Sequence, residues 1–127
     1  AHHPTEIRAT VAAVKEGWGR RFIVLFQPHR FSRTRDLMDD FAVSFDGVDA
    51  LFVTEIYPAG EDPIDGVNGT RLVEQIKRTN LSAVSFVAES EAMVDQVLPM
   101  LREGDVVLTM GAGDIWKVGQ TLMERLP

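Results

Sequence analysis

The sequence predicts an α/β fold of three layers: a Rossmann-like, mostly parallel sheet with helices on both faces. Short apolar runs alternate with longer stretches that show helical periodicity. The runs are continuous rather than alternating, which is typical of strands buried on both faces. Helices of about ten residues between them require right-handed crossovers and therefore parallel strands. The 127 residues suffice for one domain, 1–127, with its own core.

The first predicted helix covers about Thr5 to Glu16, and Pro4 suits its first position. One face of this helix is apolar and consists of Ile7, Val11 and Val14. The run RFIVLF, residues 21–26, follows as the first predicted strand. A buried helix packed beside a buried strand is the first unit of the expected fold.

A second helix is predicted from Thr34 to Phe45. Its apolar residues recur at four-residue spacing and are Leu37, Phe41 and Phe45. Its acidic residues should face solvent and are Asp36, Asp39 and Asp40. The run ALFVTEI, residues 50–56, is the second predicted strand.

The second half of the chain repeats this alternation after a turn-rich loop at 57–69. The next helical stripe consists of Leu72, Val73 and Ile76. Residues 83–87 and 105–110 are the third and fourth predicted strands. The helix between them carries Val94, Val97, Leu98 and Leu101. The last helix carries Ile115, Val118, Leu122 and Leu126.

Composition limits the classes of function. The net charge of −6 and the pI near 5.0 argue against a broad nucleic-acid or anionic-membrane surface. There is no cysteine, which excludes disulfides and thiolate chemistry and fits a reducing compartment. No apolar run approaches the roughly 20 residues of a membrane span, and no secretory leader is evident. We therefore expect a cytoplasmic protein.

Three informative loops follow predicted strands: QPHRFSRTR (27–35), TEIYPAGE (54–61) and MGAGDIW (110–116). Open parallel sheets bind ligands beyond the carboxyl ends of their strands. The three loops should meet at that edge and form the candidate site.

The first of these loops, 27–35, concentrates positive charge in an acidic chain. Arg30 and Arg33 lie where a strand ends and a helix begins, so free backbone N–H groups and the helix dipole would add to their charge. Two guanidinium groups three residues apart suit a carboxylate or phosphate. The alternative is that they pair with the acidic residues of the following helix or lie in water, and the residues themselves leave both interpretations open.

The loop 110–116 has Gly111 and Gly113 between a strand and a helix. It departs from the dinucleotide fingerprint GxGxxG because Trp116 occupies the sixth position, which disfavours a nicotinamide-dependent enzyme. A tight turn of structural purpose is the simpler interpretation.

The loop 54–61 offers Glu55, Tyr57 and Glu61, either as a functional loop or as a solvated turn. The adjacent His2 and His3 lack the spacing of a helical metal pair, and the residues alone favour a tag remnant or a frayed terminus.

Several catalytic motifs are absent from the sequence. It has no GxxxxGK[ST] phosphate loop, no GxSxG elbow and no HExxH zinc site. A flavodoxin-like receiver module is a poor alternative, because the strand ends lack the lysine and aspartate that such a domain needs. A freestanding dinucleotide-binding module is weakened by the failed glycine fingerprint.

Four segments together resemble one family: AHHPTE, FQPHRFSRTRDL, EIYPAGE and GAGDI. In this order they resemble the C-terminal domain of the Mur ligases, and the similarity spans essentially the whole chain. The arginine motif favours the members that join L-alanine to UDP-N-acetylmuramate. The related members that recycle a murein tripeptide share the histidine motif but lack FQPHRFSRT.

The resemblance implies that residues 1–127 are the third domain of a longer peptidoglycan-synthesis ligase. An N-terminal domain would hold the UDP-sugar, and a central domain would hold ATP and magnesium. ATP would phosphorylate the muramoyl carboxylate, and the amine of L-alanine would attack the acyl phosphate. The family's preceding apolar strand lies outside this sequence, so we expect a bare sheet edge and an inactive isolated domain.

The resemblance also implies roles for individual residues. Arg30 and Arg33 would bind the carboxylate of L-alanine, and His2 would lie close to the amino acid or the phosphoryl group. Other residues would line the cleft: Tyr57, Glu61, Gly111, Ala112, Gly113 and Asp114. No residue is identified as a catalytic base, and no metal site is expected within this domain.

Overall fold

The computed structural model describes residues 3–18, 20–79 and 83–125. Its strands are β1 (Phe22–Phe26), β2 (Ala50–Val53), β3 (Val84–Phe86) and β4 (Val106–Met110). Its helices are α1 (Pro4–Trp18), α2 (Phe31–Asp36), α3 (Met38–Ala42), α4 (Gly69–Lys77), α5 (Ser90–Val97) and α6 (Trp116–Arg125). A 3-10 turn, Leu98–Met100, follows α5.

The four strands form one parallel sheet in the order β3-β2-β1-β4. The predicted α/β fold is therefore confirmed. From β1 the chain adds β2 and then β3 on one side of β1. After β3 it crosses back over the sheet, and β4 lies on the other side of β1. Strand order thus reverses between β1 and β4, which is where open α/β sheets form a ligand crevice.

The central strand β1 is buried along its whole length and separates two cores. Phe22, Val24 and Phe26 face the core shared with α1, α3 and α4. Ile23 and Leu25 face the core shared with α5 and α6. Successive side chains of a strand point to opposite faces, so a continuous apolar run is what two helical layers require.

The segment after β1 differs from the single helix predicted over Thr34–Phe45. Helix α2 begins earlier, at Phe31, and the helix breaks at Leu37, where φ is −115°. The two parts bury their aromatic side chains in different places. Phe31 packs beneath the following loop with Ile56, whereas Phe41 packs on Phe26 with ring centroids 5.5 Å apart.

The acidic residues of this segment, Asp36, Asp39 and Asp40, are exposed as expected. The helix predicted around Val94 also ends early, because Leu98 and Pro99 enter the 3-10 turn and Leu101 lies beyond it. Leu126 lies outside the described residues.

Strand β4 lies at an edge of the sheet and pairs only with β1 among the described strands. Four of its five residues are only half-buried, in contrast to the fully buried β1. Beside it is a groove of about 300 Å³ whose lining includes Val107, Trp116 and Met123. The two last side chains are 56% and 78% exposed, so apolar surface continues from the sheet edge onto α6.

No helix in the described part of the chain has the length and apolar character needed to cross a membrane.

An ion pair joins the starts of β1 and β4. Arg21 donates to both carboxylate oxygens of Asp105, from Nε at 3.0 Å and from Nη2 at 2.5 Å, and Nη2 also donates to the Met100 carbonyl. The hydrogen bonds from Arg21 lower the pKa of Asp105 below its ordinary value. A lowered carboxyl pKa stabilises the fold above the unfolded-state pKa, and this contribution is lost as pH falls through the folded-state pKa.

We therefore expect Asp105→Asn to lower the free energy of unfolding at pH 7. The difference from the original protein should shrink as pH falls from the ordinary carboxyl pKa of about 4 through the lower pKa of Asp105 in the folded state. Urea unfolding at a series of pH values measures this. A difference that is constant with pH would show that the ionised form of Asp105 is unimportant.

Candidate functional site

The three loops predicted to meet at the carboxyl edge of the sheet do so. The backbone N–H of Gln27 donates to the Met110 carbonyl at 2.9 Å, which extends the β1–β4 pairing into the loops. On the other side of β1, Tyr57 donates from its N–H to the Pro28 carbonyl, and Arg30 donates to the Tyr57 carbonyl, both at 2.8 Å. The loop after β1 is therefore held between the loops after β2 and β4.

Gln27 is a buried polar residue that the sequence analysis did not select. Its Nε2 donates to Asp114 Oδ1 at 2.8 Å, and its Oε1 accepts from the Ile115 N–H at 3.1 Å. Both ends of the amide are thus used, which removes the penalty for burying it. The only sequence signal was a polar residue directly after five buried apolar ones.

The two glycines of the last loop are required by close packing against Gln27 and Tyr57. A Cβ on Gly111 would lie 2.8 Å from the Gln27 carbonyl oxygen, and Gly111 has a φ of +152°. A Cβ on Gly113 would lie 2.5 Å from Gln27 Oε1 and 2.8 Å from the Tyr57 ring. The GAG turn is therefore a close-packed joint, which agrees with its structural interpretation.

Tyr57 and His29 present aromatic surface beside this joint. Their rings are nearly parallel, with an interplanar angle of 9° and centroids 5.9 Å apart. Tyr57 is 39% exposed although one side of its ring lies against Gly113. Flat, partly exposed rings at a crevice can stack against a planar ligand group.

Arg30 lies at the carboxyl edge of the sheet with an unusual backbone conformation. It is exposed, it precedes α2, and its φ of 71° is in the left-handed region that non-glycine residues rarely adopt. Such a conformation costs about 1–3 kcal/mol and is concentrated at functional sites. The Arg30 N–H bond to Tyr57 and the Thr34 hydroxyl, which donates to the Arg30 carbonyl at 2.8 Å, hold it in place.

Arg33 lies one helical turn after Arg30. Its Nη1 is buried and has no hydrogen-bond partner among the described residues. A buried guanidinium nitrogen without a partner is unfavourable unless a ligand or another part of the protein supplies an acceptor.

The alternative interpretation, that these arginines pair with the acidic residues of the next helix, does not hold among the described residues. Asp36 pairs instead with Arg35 at 2.9 Å, and Asp40 pairs with Arg8 at 3.8 Å. Both pairs are well exposed and contribute little to stability. Arg30 and Arg33 thus remain available to a ligand.

The expectation of free backbone N–H groups beside these arginines is wrong for Ser32. The Ser32 N–H donates to Glu61 Oε1 at 3.0 Å, and its hydroxyl donates to Glu61 Oε2 at 2.5 Å. These hydrogen bonds lower the pKa of Glu61, with a smaller contribution from the charge of Arg30. The first turn of α2 therefore already has an anionic partner from within the chain.

The remaining candidates have different positions. His2 lies outside the described residues, whereas His3 Nδ1 accepts from the Thr5 N–H at 3.1 Å at the start of α1. Ala112 is exposed at the tip of the last loop. Glu55 accepts from the Ile56 and Gly69 N–H groups at 2.9 and 2.7 Å and therefore braces its own loop.

No group of three histidine or acidic side chains among the described residues could hold a metal ion. Guanidinium groups such as those of Arg30 and Arg33 suit a carboxylate or a phosphate. Two arginines, a stacked pair of rings and a carboxylate lie around one end of the sheet.

Comparison with known proteins gives relatives across the whole chain. UDP-N-acetylmuramate–L-alanine ligase from Geotalea uraniireducens is 51% identical over 125 residues, which are 98% of this chain and 27% of that protein. The protein of the same name from Geobacter sulfurreducens is also 51% identical, over 126 residues and the same shares. The chain thus spans about a quarter of the length of these relatives.

Solved structures show the same fold. The crystal structure of UDP-N-acetylmuramate–alanine ligase from Thermotoga maritima matches with a TM-score of 0.78 and 28% identity, covering 98% of this chain and 25% of that one. A murein peptide ligase from Psychrobacter arcticus matches with a TM-score of 0.74 at 19% identity, covering the same shares. At that identity the second match supports the fold alone.

The sequence profile described as the Mur ligase glutamate ligase domain matches residues 1–113. This match covers most of the chain and includes the first two loops at the carboxyl edge of the sheet and the start of the third, up to Gly113. The chain therefore belongs to the glutamate ligase domain family of the Mur ligases.

Proposed function

We propose that this chain is the C-terminal, amino-acid-binding domain of a cytoplasmic UDP-N-acetylmuramate–L-alanine ligase. The identity of about half over the whole chain to proteins of that name supports this substrate assignment. The observation that carries the proposal for the site is the pair Arg30 and Arg33. Neither arginine is paired with an acidic side chain among the described residues. In addition, Arg33 Nη1 is buried and lacks a hydrogen-bond acceptor there.

In this proposal, the two guanidinium groups bind the carboxylate of L-alanine. A charge-assisted, forked contact fixes the orientation of the amino acid and not only its position. The amine is thereby directed towards the acyl phosphate of the muramoyl group, and this orientation replaces a bimolecular encounter by a preformed geometry. His2, Tyr57 and the loop 111–114 would line the same cleft, and Glu61 would lie at its margin.

ATP and magnesium belong elsewhere in the protein in this proposal. The sequence has no GxxxxGK[ST] motif, and the described residues include no three-member carboxylate or histidine cluster. These residues do not fit a nucleotide–metal site by themselves. The N-terminal domain of the longer protein would hold the UDP-sugar, and its central domain would hold the ATP. An additional strand of the longer protein would cover the sheet edge at β4.

The test is phosphate release by the full-length protein that contains this domain, with ATP, magnesium and UDP-N-acetylmuramate. We expect release that depends on L-alanine, with glycine a weaker acceptor. Release only with a murein tripeptide would assign the protein to the recycling ligases instead. No acceptor-dependent release would overturn the proposed function.

A further inference from the structure

Glu61 reaches the first turn of α2 from a different loop, 29 residues along the chain. Both of its carboxylate oxygens accept hydrogen bonds from Ser32, the second residue of that helix. The residue that precedes α2, Arg30, has no side-chain hydrogen bond that caps the helix. Glu61 therefore provides from outside what a capping serine or aspartate provides at an ordinary helix start.

The turn that carries Glu61 is itself firmly determined. The Glu61 N–H donates to the Pro58 carbonyl at 3.0 Å. Ala59 and Gly60 both have positive φ values, 51° and 87°, so two successive left-handed residues reverse the chain just before Glu61. The position of the carboxylate relative to α2 thus follows from a built turn and not from a long, freely rotating side chain alone.

We propose that Glu61 is a positioning residue of the amino-acid site, an inference that rests on the proposed function. Its carboxylate fixes the first turn of α2 through Ser32. The two arginines flank this contact, since Arg30 lies two residues before Ser32 and Arg33 directly follows it. Glu61 acts on substrate binding by directing these two guanidinium groups, and its own oxygens are occupied by Ser32.

The contact between Glu61 and Ser32 also gives two carboxylates different partners: that of Glu61 binds the start of α2, and that of the substrate binds the arginines. The internal carboxylate neutralises the start of the helix, so the substrate carboxylate is left to the arginine side chains. A nearby negative charge weakens Arg30 as a general anion site, and only a ligand with the right two-point geometry gains from both arginines. Glu61 would therefore favour selectivity for a ligand that contacts both arginines, in addition to aligning the arginine side chains.

The test uses the full-length ligase and the variants Glu61→Gln, Ser32→Ala and the double variant. We expect Glu61→Gln to raise the KM for L-alanine about tenfold and Ser32→Ala to raise it about threefold, because each removes part of a charge-assisted contact. The double variant should be no more than about twofold worse than Glu61→Gln, since both changes act on one interaction. The KM for ATP and the kcat at saturating L-alanine should change less than twofold.

The matched control is Asp62→Asn, which removes a negative charge from the neighbouring, exposed position of the same loop. It should leave the KM for L-alanine unchanged. If Asp62→Asn and Glu61→Gln raise the KM for L-alanine equally, only the net charge of the loop matters, and the positioning role of Glu61 is overturned.

Other outcomes also decide the question. Multiplicative effects of the two single changes would show that Glu61 acts on the substrate independently of Ser32. If Glu61→Gln does not fold, Ser32→Ala carries the test by itself, and an unchanged KM for L-alanine overturns the proposal.

The failure of this inference can be told from failure of the proposed function. An Arg30→Ala variant reports on the amino-acid site directly. If it weakens L-alanine binding whereas Glu61→Gln does not, the proposed function stands and the role of Glu61 is wrong. If the unmodified enzyme shows no dependence on L-alanine, both are wrong.

Discussion

Replacing Arg30 by alanine in the full-length ligase should raise the KM for L-alanine far more than the KM for ATP. The substrate carboxylate would lose a charge-assisted partner at a position whose backbone is held in a left-handed conformation. We expect kcat/KM for L-alanine to fall roughly 30- to 900-fold, which corresponds to a loss of about 2–4 kcal/mol of transition-state stabilisation. Initial rates of phosphate release at varied L-alanine and varied ATP measure both constants.

The control for this prediction is Arg35→Ala in the same loop. Arg35 is exposed and pairs with Asp36, so its loss should change neither constant by more than about twofold. Equal increases in the KM for L-alanine and the KM for ATP after Arg30→Ala would contradict a carboxylate clamp. They would indicate that the arginine supports the closed arrangement of the domains in general.

Replacing Gly111 by alanine should destabilise the domain by about 2–4 kcal/mol. The new Cβ would lie 2.8 Å from the Gln27 carbonyl oxygen and 3.1 Å from the Ile115 side chain, and the φ of +152° is unfavourable for any residue with a Cβ. Neither the end of β1 nor the start of α6 can move away without breaking the Gln27 hydrogen bonds. Urea unfolding of the 127-residue chain measures the loss.

The matched control is Gly17→Ala, the same substitution near the end of α1, where nothing lies within 4 Å of the new Cβ. Alanine has the higher helix propensity, so this variant should be as stable as the original protein or more stable by up to about 1 kcal/mol. Similar losses at the two positions would show that the close packing around Gly111 is unimportant.

Replacing Gly111 would also disturb the carboxyl edge of the sheet, where the candidate site lies. The GAG turn carries Asp114, which holds Gln27, and it supports the ring of Tyr57. A structural role and a role in lining the cleft are therefore not alternatives for this turn.

The arginine loop shows what the sequence pattern of a single loop can predict and what it cannot. The concentration of arginines after a buried strand indicated a position at the carboxyl edge of the sheet, because the end of a parallel strand is defined by the apolar run that precedes it. It did not indicate that Glu61 already occupies the first turn of α2. That contact joins two loops on neighbouring strands, and no periodicity or spacing within either loop encodes it.

The broken helix after β1 has a similar cause. The spacing of Leu37, Phe41 and Phe45 is helical, and Phe41 and Phe45 are buried as predicted. Yet Phe31 must pack beneath the loop after β2 while Phe41 packs on the sheet. A change of direction at Leu37 accommodates both, because tertiary packing outweighs the small differences in helix propensity.

What the sequence by itself determined was the order of the elements, their parallel pairing and the edge at which the three loops meet. These follow from apolar periodicity and from the handedness of crossovers, both of which are local properties of a chain. The tertiary structure alone decided three features: the left-handed Arg30, the buried Gln27 that joins β1 to the last loop, and the contact of Glu61 with Ser32. Each depends on atoms brought together from distant parts of the chain, because buried polar groups and strained backbone are stable only where folding supplies their partners.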